Sequence, residues 1–294
     1  MSKIQDALKK IQSKKRGVSA YADVQEASAE TIAIVVDETE AIGADSITSN
    51  RRYIQIDRIL LREAGLLVPE DQERTFADQY RRIKRPLLGI AAGKYADQPA
   101  HANMVMIASA LPGDGKTFSC INLSLSMAIE KDTSVLMVDA DVGKPHISKI
   151  LGVDQEPGLI DLLLHDDMKV MDVIMRTDIP GLLVLPAGQK SEYATELLAS
   201  KRMADIAMQL STKLADHVIV FDSPPLLITS EANVLASLMG QIVMIVCADR
   251  TPQQGVVEAL NSLEDSKSVC LVLNQADEAF KLDSYSGFAY GYGT

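Results

Sequence analysis

The 294-residue sequence has no tryptophan and few aromatic residues, 4% in all, so the placement of its eight tyrosines becomes informative. Cysteine is scarce too. Cys120, Cys247 and Cys270 lie among apolar neighbours with no CxxC and no Cys/His ligand spacing, so neither a disulfide framework nor a zinc site is expected, and the three read as buried small hydrophobes. No stretch approaches the ~18 continuous apolar residues of a membrane span, and the polar start lacks a signal-peptide core. A cytoplasmic chain is expected, at the inner face of the cell membrane only through a partner or peripheral contact. An excess of positive charge is also missing: the net charge is -11, and most of such a surface would repel nucleic acid.

What is present suits a globular chain. Apolar residues make up 47% and charged residues 23%, enough apolar surface to offset the entropy of ordering most of the polymer. The length fits one catalytic domain with an N-terminal extension. Residues 1–50 divide in two. Lys3, Lys9, Lys10, Lys14, Lys15 and Arg16 against Asp6 give the first sixteen a local +5, with Ile4, Leu8 and Ile11 on one helical face. That segment is either a basic amphipathic helix for anionic lipid or an acidic partner, or a solvated terminus. Residues 17–50 hold seven acids and no Lys or Arg, a linker composition with one possible strand at Thr31 to Val36, so this extension is expected to be partly disordered.

Residues 51–100 read as a lead-in. Ile54, Ile56, Ile59, Leu60 and Leu61 before Gly65 and Pro69 predict a short helix or strand-helix unit, followed by a basic helix from Asp78 to Arg85 that stops before Pro86. Its charges are either a solvated face or an oligomer contact. In residues 101–275, apolar runs at Met104 to Ile107, Val135 to Val138, Leu182 to Leu185, Val218 to Phe221, Ile242 to Val246 and Val269 to Leu273 are separated by helix-length segments. Several are too continuous for one-sided burial. They predict an α/β fold, a mostly parallel sheet with helices on both faces.

The sharpest signal follows the first of these runs. Ala110-Leu111-Pro112-Gly113-Asp114-Gly115-Lys116-Thr117 has the spacing of a phosphate-binding Walker A loop, with Ala110 in place of its first glycine. Glycines let backbone N–H groups curl round phosphate, and the helix N-terminus adds positive potential. Lys116 is placed for the β and γ phosphates of ATP and Thr117 for a hydroxyl bond to Mg²⁺. Pro112 to Thr117 and the next residue, Phe118, form the expected nucleotide-binding stretch. Two more strand ends carry acids, Asp139-Ala140-Asp141 and Asp222-Ser223-Pro224-Pro225, where open α/β sheets bind ligands. Asp222 reads as a Walker B carboxylate. Asp139 and Asp141 are two apart, so in extended chain both would point the same way, one to help hold metal and one to accept a proton. Arg250 and Asn274, each just after a strand, are candidates for the adenine.

These motifs resemble the bacterial tyrosine kinases (BY-kinases), P-loop autokinases tied to exopolysaccharide synthesis, over about residues 75–294. Pro112 to Lys116, Val135 to Pro145 and Asp222 to Pro225 carry the likeness. Tyr80 to Pro86 and Pro186-Ala187-Gly188 narrow it to autokinases of exosortase or polysaccharide-export loci. The resemblance implies catalytic roles for Lys116, Asp139, Asp141 and Asp222: phosphate at Lys116, metal at Thr117, Asp139 and Asp222, and a base towards tyrosine at Asp141. It also implies a homo-oligomer and a membrane-embedded polysaccharide chain-length regulator as partner. Two departures stand out: Gly143-Lys144 replaces a basic pair, and the family's oligomer motif survives only as Asp78, Arg81 and Lys84.

The last segment, residues 276–294, supports this reading through composition. Tyr285, Tyr290 and Tyr292 lie in the last ten residues among Gly and Ser, a flexible tail suited to being a phospho-acceptor. The rival is a partitioning-type P-loop ATPase switch, which would carry a signature lysine where Leu111 stands and a glycine at Pro112. A non-catalytic nucleotide-binding adaptor of an export complex is a third reading.

Overall fold

The computed structural model describes residues 52–63, 65–66, 73–263 and 268–276. The basic and acidic segments, the strand expected at Thr31 to Val36 and the tail tyrosines lie outside the described residues.

A short β1 (Tyr53–Ile54) and α1 (Arg58–Glu63) precede the long α2 (Glu73–Ala91), which leads to β2 (Met104–Ser109) and α3 (Lys116–Ala128). There follow β3 (Ser134–Asp139), α4 (His146–Ile150), α5 (Leu159–Leu164), α6 (Val170–Val173), β4 (Met175–Thr177), β5 (Leu182–Leu185), α7 (Ala194–Leu198) and α8 (Lys201–Lys213). The described chain closes with β6 (His217–Asp222), α9 (Ser230–Ser237), β7 (Gln241–Cys247), α10 (Gln253–Asn261) and β8 (Ser268–Asn274). All six apolar runs form strands of one sheet, ordered β1-β4-β5-β3-β6-β2-β7-β8. Every pairing is parallel except β4 with β5. Because β2, β3 and β6 run the same way side by side, their carboxyl ends meet at one edge of the sheet. That edge carries the loop after Ser109 and the acids Asp139 and Asp222.

Two apolar clusters cover the two faces. One joins Met106, Leu136, Phe221 and Met244 to the helices α5, α8 and α9; the other joins Val105, Val135, Val220 and Ile245 to α2 and α3. Residues of one strand thus feed both clusters, which is why β2, β3, β6 and β7 read as continuous apolar runs rather than alternating ones. Each fully buried aliphatic side chain contributes roughly 1.5–3 kcal/mol.

Four expectations need correction. The basic helix runs through Pro86 to Ala91 instead of stopping before it. Tyr80 and Leu87 are buried against α3 and the sheet, and Gln241 donates to the Leu87 carbonyl at 3.1 Å, so packing holds the helix past a residue that lacks an N–H. Lys84 is no surface contact for assembly: it is buried, donates to the Ser126 carbonyl at the end of α3, and pairs with Glu130 at 2.8 Å. Arg81 pairs with Asp78 on the same helix. The run Val269 to Leu273 is the edge strand, with Val269, Leu271 and Leu273 exposed. Cys270, on the same strand, is only half-buried, whereas Cys120 and Cys247 are buried as expected.

Candidate active site

The loop between β2 and α3 is held open by two glycines that other residues could not replace. Gly113 and Gly115 have φ of 86° and 99°, in the left-handed region. A Cβ on Gly115 would stand 2.1 Å from Asn274 Nδ2 and one on Gly113 2.9 Å from an Arg250 nitrogen. Those neighbours clamp the loop: Asn274 Nδ2 donates to the Asp114 carbonyl at 2.8 Å and Arg250 Nη2 to the Gly113 carbonyl at 2.8 Å. Thr251 Oγ1 donates to Asp114 Oδ1 at 2.9 Å, and the other Asp114 oxygen accepts from Leu111 N. Every one of these bonds uses the outward carbonyls or the buried acid. None of them uses the first N–H groups of α3, which has no side-chain cap, and four such groups at a helix start lack a partner within the helix. The loop is therefore built to offer donors to an anion.

Lys116 and Thr117 open α3, and both side chains are buried beneath this loop. Lys116 Nζ donates to Ser109 Oγ at 3.1 Å. Burial lowers its ammonium pKa, while Asp222, Asp141 and Asp114 act to raise it. Thr117 Oγ1 donates to Asp222 Oδ2 at 2.7 Å. Asp222 is aligned with Asp139 across the β3–β6 pairing, and both are fully buried. Burial, then the charge of Asp139, pushes Asp222 well above the usual carboxylate range, and burial lifts Asp139 to about 7 against the two bonds from Ser148. Asp139 Oδ2 accepts two bonds from Ser148, N at 2.8 Å and Oγ at 2.7 Å. Asp139 Oδ1 and Asp222 Oδ1 have no hydrogen-bond partner among the described residues. Two buried, partnerless carboxylate oxygens beside a hydroxyl are the donor chemistry a hard divalent cation takes. Among the described residues no three His, Cys, Asp or Glu side chains converge as a complete cage. Mg²⁺ instead combines one or two carboxylates with phosphate and water, and this donor set fits it.

Asp141 lies beyond the strand that carries Asp139. The strand ends at Asp139, and Asp141 lies in the following turn, half-buried, where its Oδ1 accepts from Lys144 N at 3.2 Å. Burial raises its pKa, against the pull of Lys116. So Asp139 is tied to Ser148, and Asp141 sits in the field of the loop lysine.

Phe118 faces a cavity of ≈ 590 Å³ between α2, α3 and the last two strands, lined also by Phe76, Tyr80, Val272, Asn274 and Gln275. Phe76 stacks near both rings, 4.7 Å from Tyr80 and 6.2 Å from Phe118 between centroids. Lys116, Thr117, Asp139, Asp141, Asp222, Arg250 and Asn274 are thus brought to one end of the sheet, and Phe118 lines the space beside it. Sequence reasoning missed Ser109, Ser148 and Thr251. Each is a single hydroxyl on a neighbouring element with no motif of its own, and only the partner's burial identifies it.

The AAA domain family matches residues 102–274. A tyrosine-protein kinase of Bacillus subtilis, YwqD, is 28% identical over 74% of this chain and 86% of its own length. The succinoglycan biosynthesis transport protein ExoP of Rhizobium meliloti is 29% identical over 79% of this chain and 29% of its own. The chain spans about a quarter of the length of other curated tyrosine-protein kinases it matches. Among solved structures, the kinase domain of the Escherichia coli tyrosine kinase ETK superposes with a TM-score of 0.56 at 25% identity, covering 74% of this chain and 80% of that one.

Proposed function

From the premise that the chain belongs to the AAA domain family and, within it, to the bacterial tyrosine kinases, we propose that it is an ATP-dependent protein-tyrosine autokinase acting on Tyr285, Tyr290 and Tyr292. The observation that carries the reading is the buried set around the loop: one lysine, one hydroxyl and two carboxylates with an unpartnered oxygen each, beside a third, less buried carboxylate. Transfer of a phosphoryl group asks a protein for positioning and charge neutralisation, which this set supplies.

In this reading the loop N–H groups and Lys116 bind the β and γ phosphates of ATP. Thr117, Asp139 and Asp222 would hold Mg²⁺, whose contribution when bound is to neutralise phosphate charge. Asp141 is the base: its half-buried position leaves it reachable, and burial makes it more basic than an ordinary carboxylate. The phenolic oxygen bonds to the γ phosphorus as the bond to the bridging oxygen breaks, ADP leaves, and the phenolic proton passes to Asp141. The cavity beside Phe118 and Asn274 is the adenine's place, with Arg250 on the loop side.

Regulation of exopolysaccharide synthesis or export is the biological setting we infer, with homo-oligomers and a membrane-embedded chain-length regulator as partners. The relative named for succinoglycan transport supports the setting. The described helices include none long and apolar enough to cross a membrane. The test is incubation of the purified chain with ATP and Mg²⁺, with phosphotyrosine as readout beside a Lys116→Met control. ATP breakdown without phosphotyrosine would favour the switch-type ATPase.

A further inference from the structure

The loop that follows β5 carries a tyrosine for which the catalytic reading has no use. Tyr193 is 66% exposed, yet its main chain is fixed. Its N–H donates to Ser191 Oγ at 3.1 Å, and its carbonyl accepts from Leu197 N at 2.9 Å where α7 begins. The start of the same loop is bound to the site itself: Ala187 N donates at 3.0 Å to Ser148 Oγ, the hydroxyl that also holds Asp139. Gln189 N is held by Asp161 Oδ2 at 3.1 Å, the oxygen that also takes Gly158 N. On the far side, α7 packs against α9, and the charge of Glu231 on α9 bears on Asp141. A solvent-facing phenol therefore stands on a hydrogen-bonded loop at the catalytic end of the sheet, between an element tied to Asp139 and one whose charge bears on Asp141.

The other described tyrosines lack this combination. Tyr80 is buried, with its hydroxyl pKa pushed up by that burial. Tyr95 precedes β2, at the end of the sheet opposite the phosphate loop. Tyr53 is on the edge strand, level with Arg176 and through it with Leu183 in the body of the sheet.

We propose that Tyr193 is a phosphorylation site within the catalytic fold, an acceptor of the γ-phosphoryl group additional to the tail; the proposal rests on the kinase reading above. The Tyr193 phenolic oxygen bonds to the γ phosphorus, the bond from phosphorus to the bridging oxygen of ATP breaks, ADP leaves with that electron pair, and the proton goes to Asp141. A phosphate there adds about -1.5 to -2 charges to a segment that already carries Glu192 and Glu196.

The test uses the full chain with Tyr285, Tyr290 and Tyr292 all changed to Phe, incubated with ATP and Mg²⁺ and mapped by phosphopeptide mass spectrometry. Phosphate on Tyr193 is expected, lost when Tyr193→Phe or Lys116→Met is added, and present at the same residue in the unaltered chain. If the unaltered chain labels its tail while Tyr193 stays unmodified in both proteins, or the label falls on Tyr53 or Tyr95 instead, the proposal is overturned. If the unaltered chain labels no tyrosine at all, the kinase reading itself fails and this acceptor falls with it.

Discussion

Asp139 and Asp222 face the same buried space with one oxygen each lacking a partner, an arrangement that costs stability until something positive enters. For Asp139 the sign of the pH dependence follows. Its pKa is about 7 in the fold against 3.8 ordinarily, so between those values the folded state holds the proton more tightly and stability falls as pH rises. Without nucleotide or metal, the urea midpoint should drop between about pH 4 and about pH 7, and Asp139→Asn should drop less. Equal drops in the two proteins would show that Asp139 does not titrate in this range. Lys116→Met should leave the fold intact, because no glycine of the loop changes, and should cut phosphoryl transfer by roughly 10²–10³-fold or more. Undiminished phosphotyrosine in that variant would remove Lys116 from the site. Asp141→Asn should spare ATP binding while transfer is lost, as befits a base; equal loss of both would move Asp141 to the metal.

At the scale of elements, α2 is fastened to the phosphate-loop helix by Lys84, whose ammonium reaches Ser126 and Glu130 near the end of α3. Lys84→Ala removes a charged donor from a half-buried carbonyl, along with the packing of its stem, and should cost about 1–3 kcal/mol in urea denaturation. A loss within error of zero would mean that water satisfies Ser126. This contact also marks the boundary of what was legible. Spacing alone revealed the strand, loop and helix around Lys116, because a phosphate loop is a local structure that needs its glycines and its lysine at set intervals. The strand-end acids were visible for the same reason. Pro86 misled because a local helix breaker lost to the burial of Tyr80 and Leu87, which depends on the distant α3 and β7. Strand β4, of three residues, carries too short a pattern to register, whereas β1 and α1 form the strand-helix unit expected around Ile54 to Leu61. Val269 to Leu273 looked doubly covered, since an edge strand and an inner one share composition and differ only in neighbours. Ser148 was invisible because its role lies in holding Asp139 from a separate helix.

For the whole molecule, the question is how a tail reaches a site. From Asn274 to Tyr290 is 16 residues, a span of at most about 50 Å when extended, enough to reach a neighbouring copy. Transfer between subunits is the expected route. Mixing Lys116→Met protein, which keeps its tail, with a tail-deleted but otherwise intact chain should place phosphotyrosine on the Lys116→Met chain. Its absence at every concentration would restrict transfer to one subunit. Each tail phosphate adds about -1.5 to -2 charges to a chain already at -11, so assemblies should loosen as labelling proceeds. The most direct test of the account follows the γ-phosphoryl group itself: purified chain, γ-labelled ATP and Mg²⁺, with the label traced to residue or to free phosphate. Label on Tyr285, Tyr290 or Tyr292, lost in Lys116→Met, is the predicted result; label recovered only as inorganic phosphate, with every tyrosine unmodified, would contradict it.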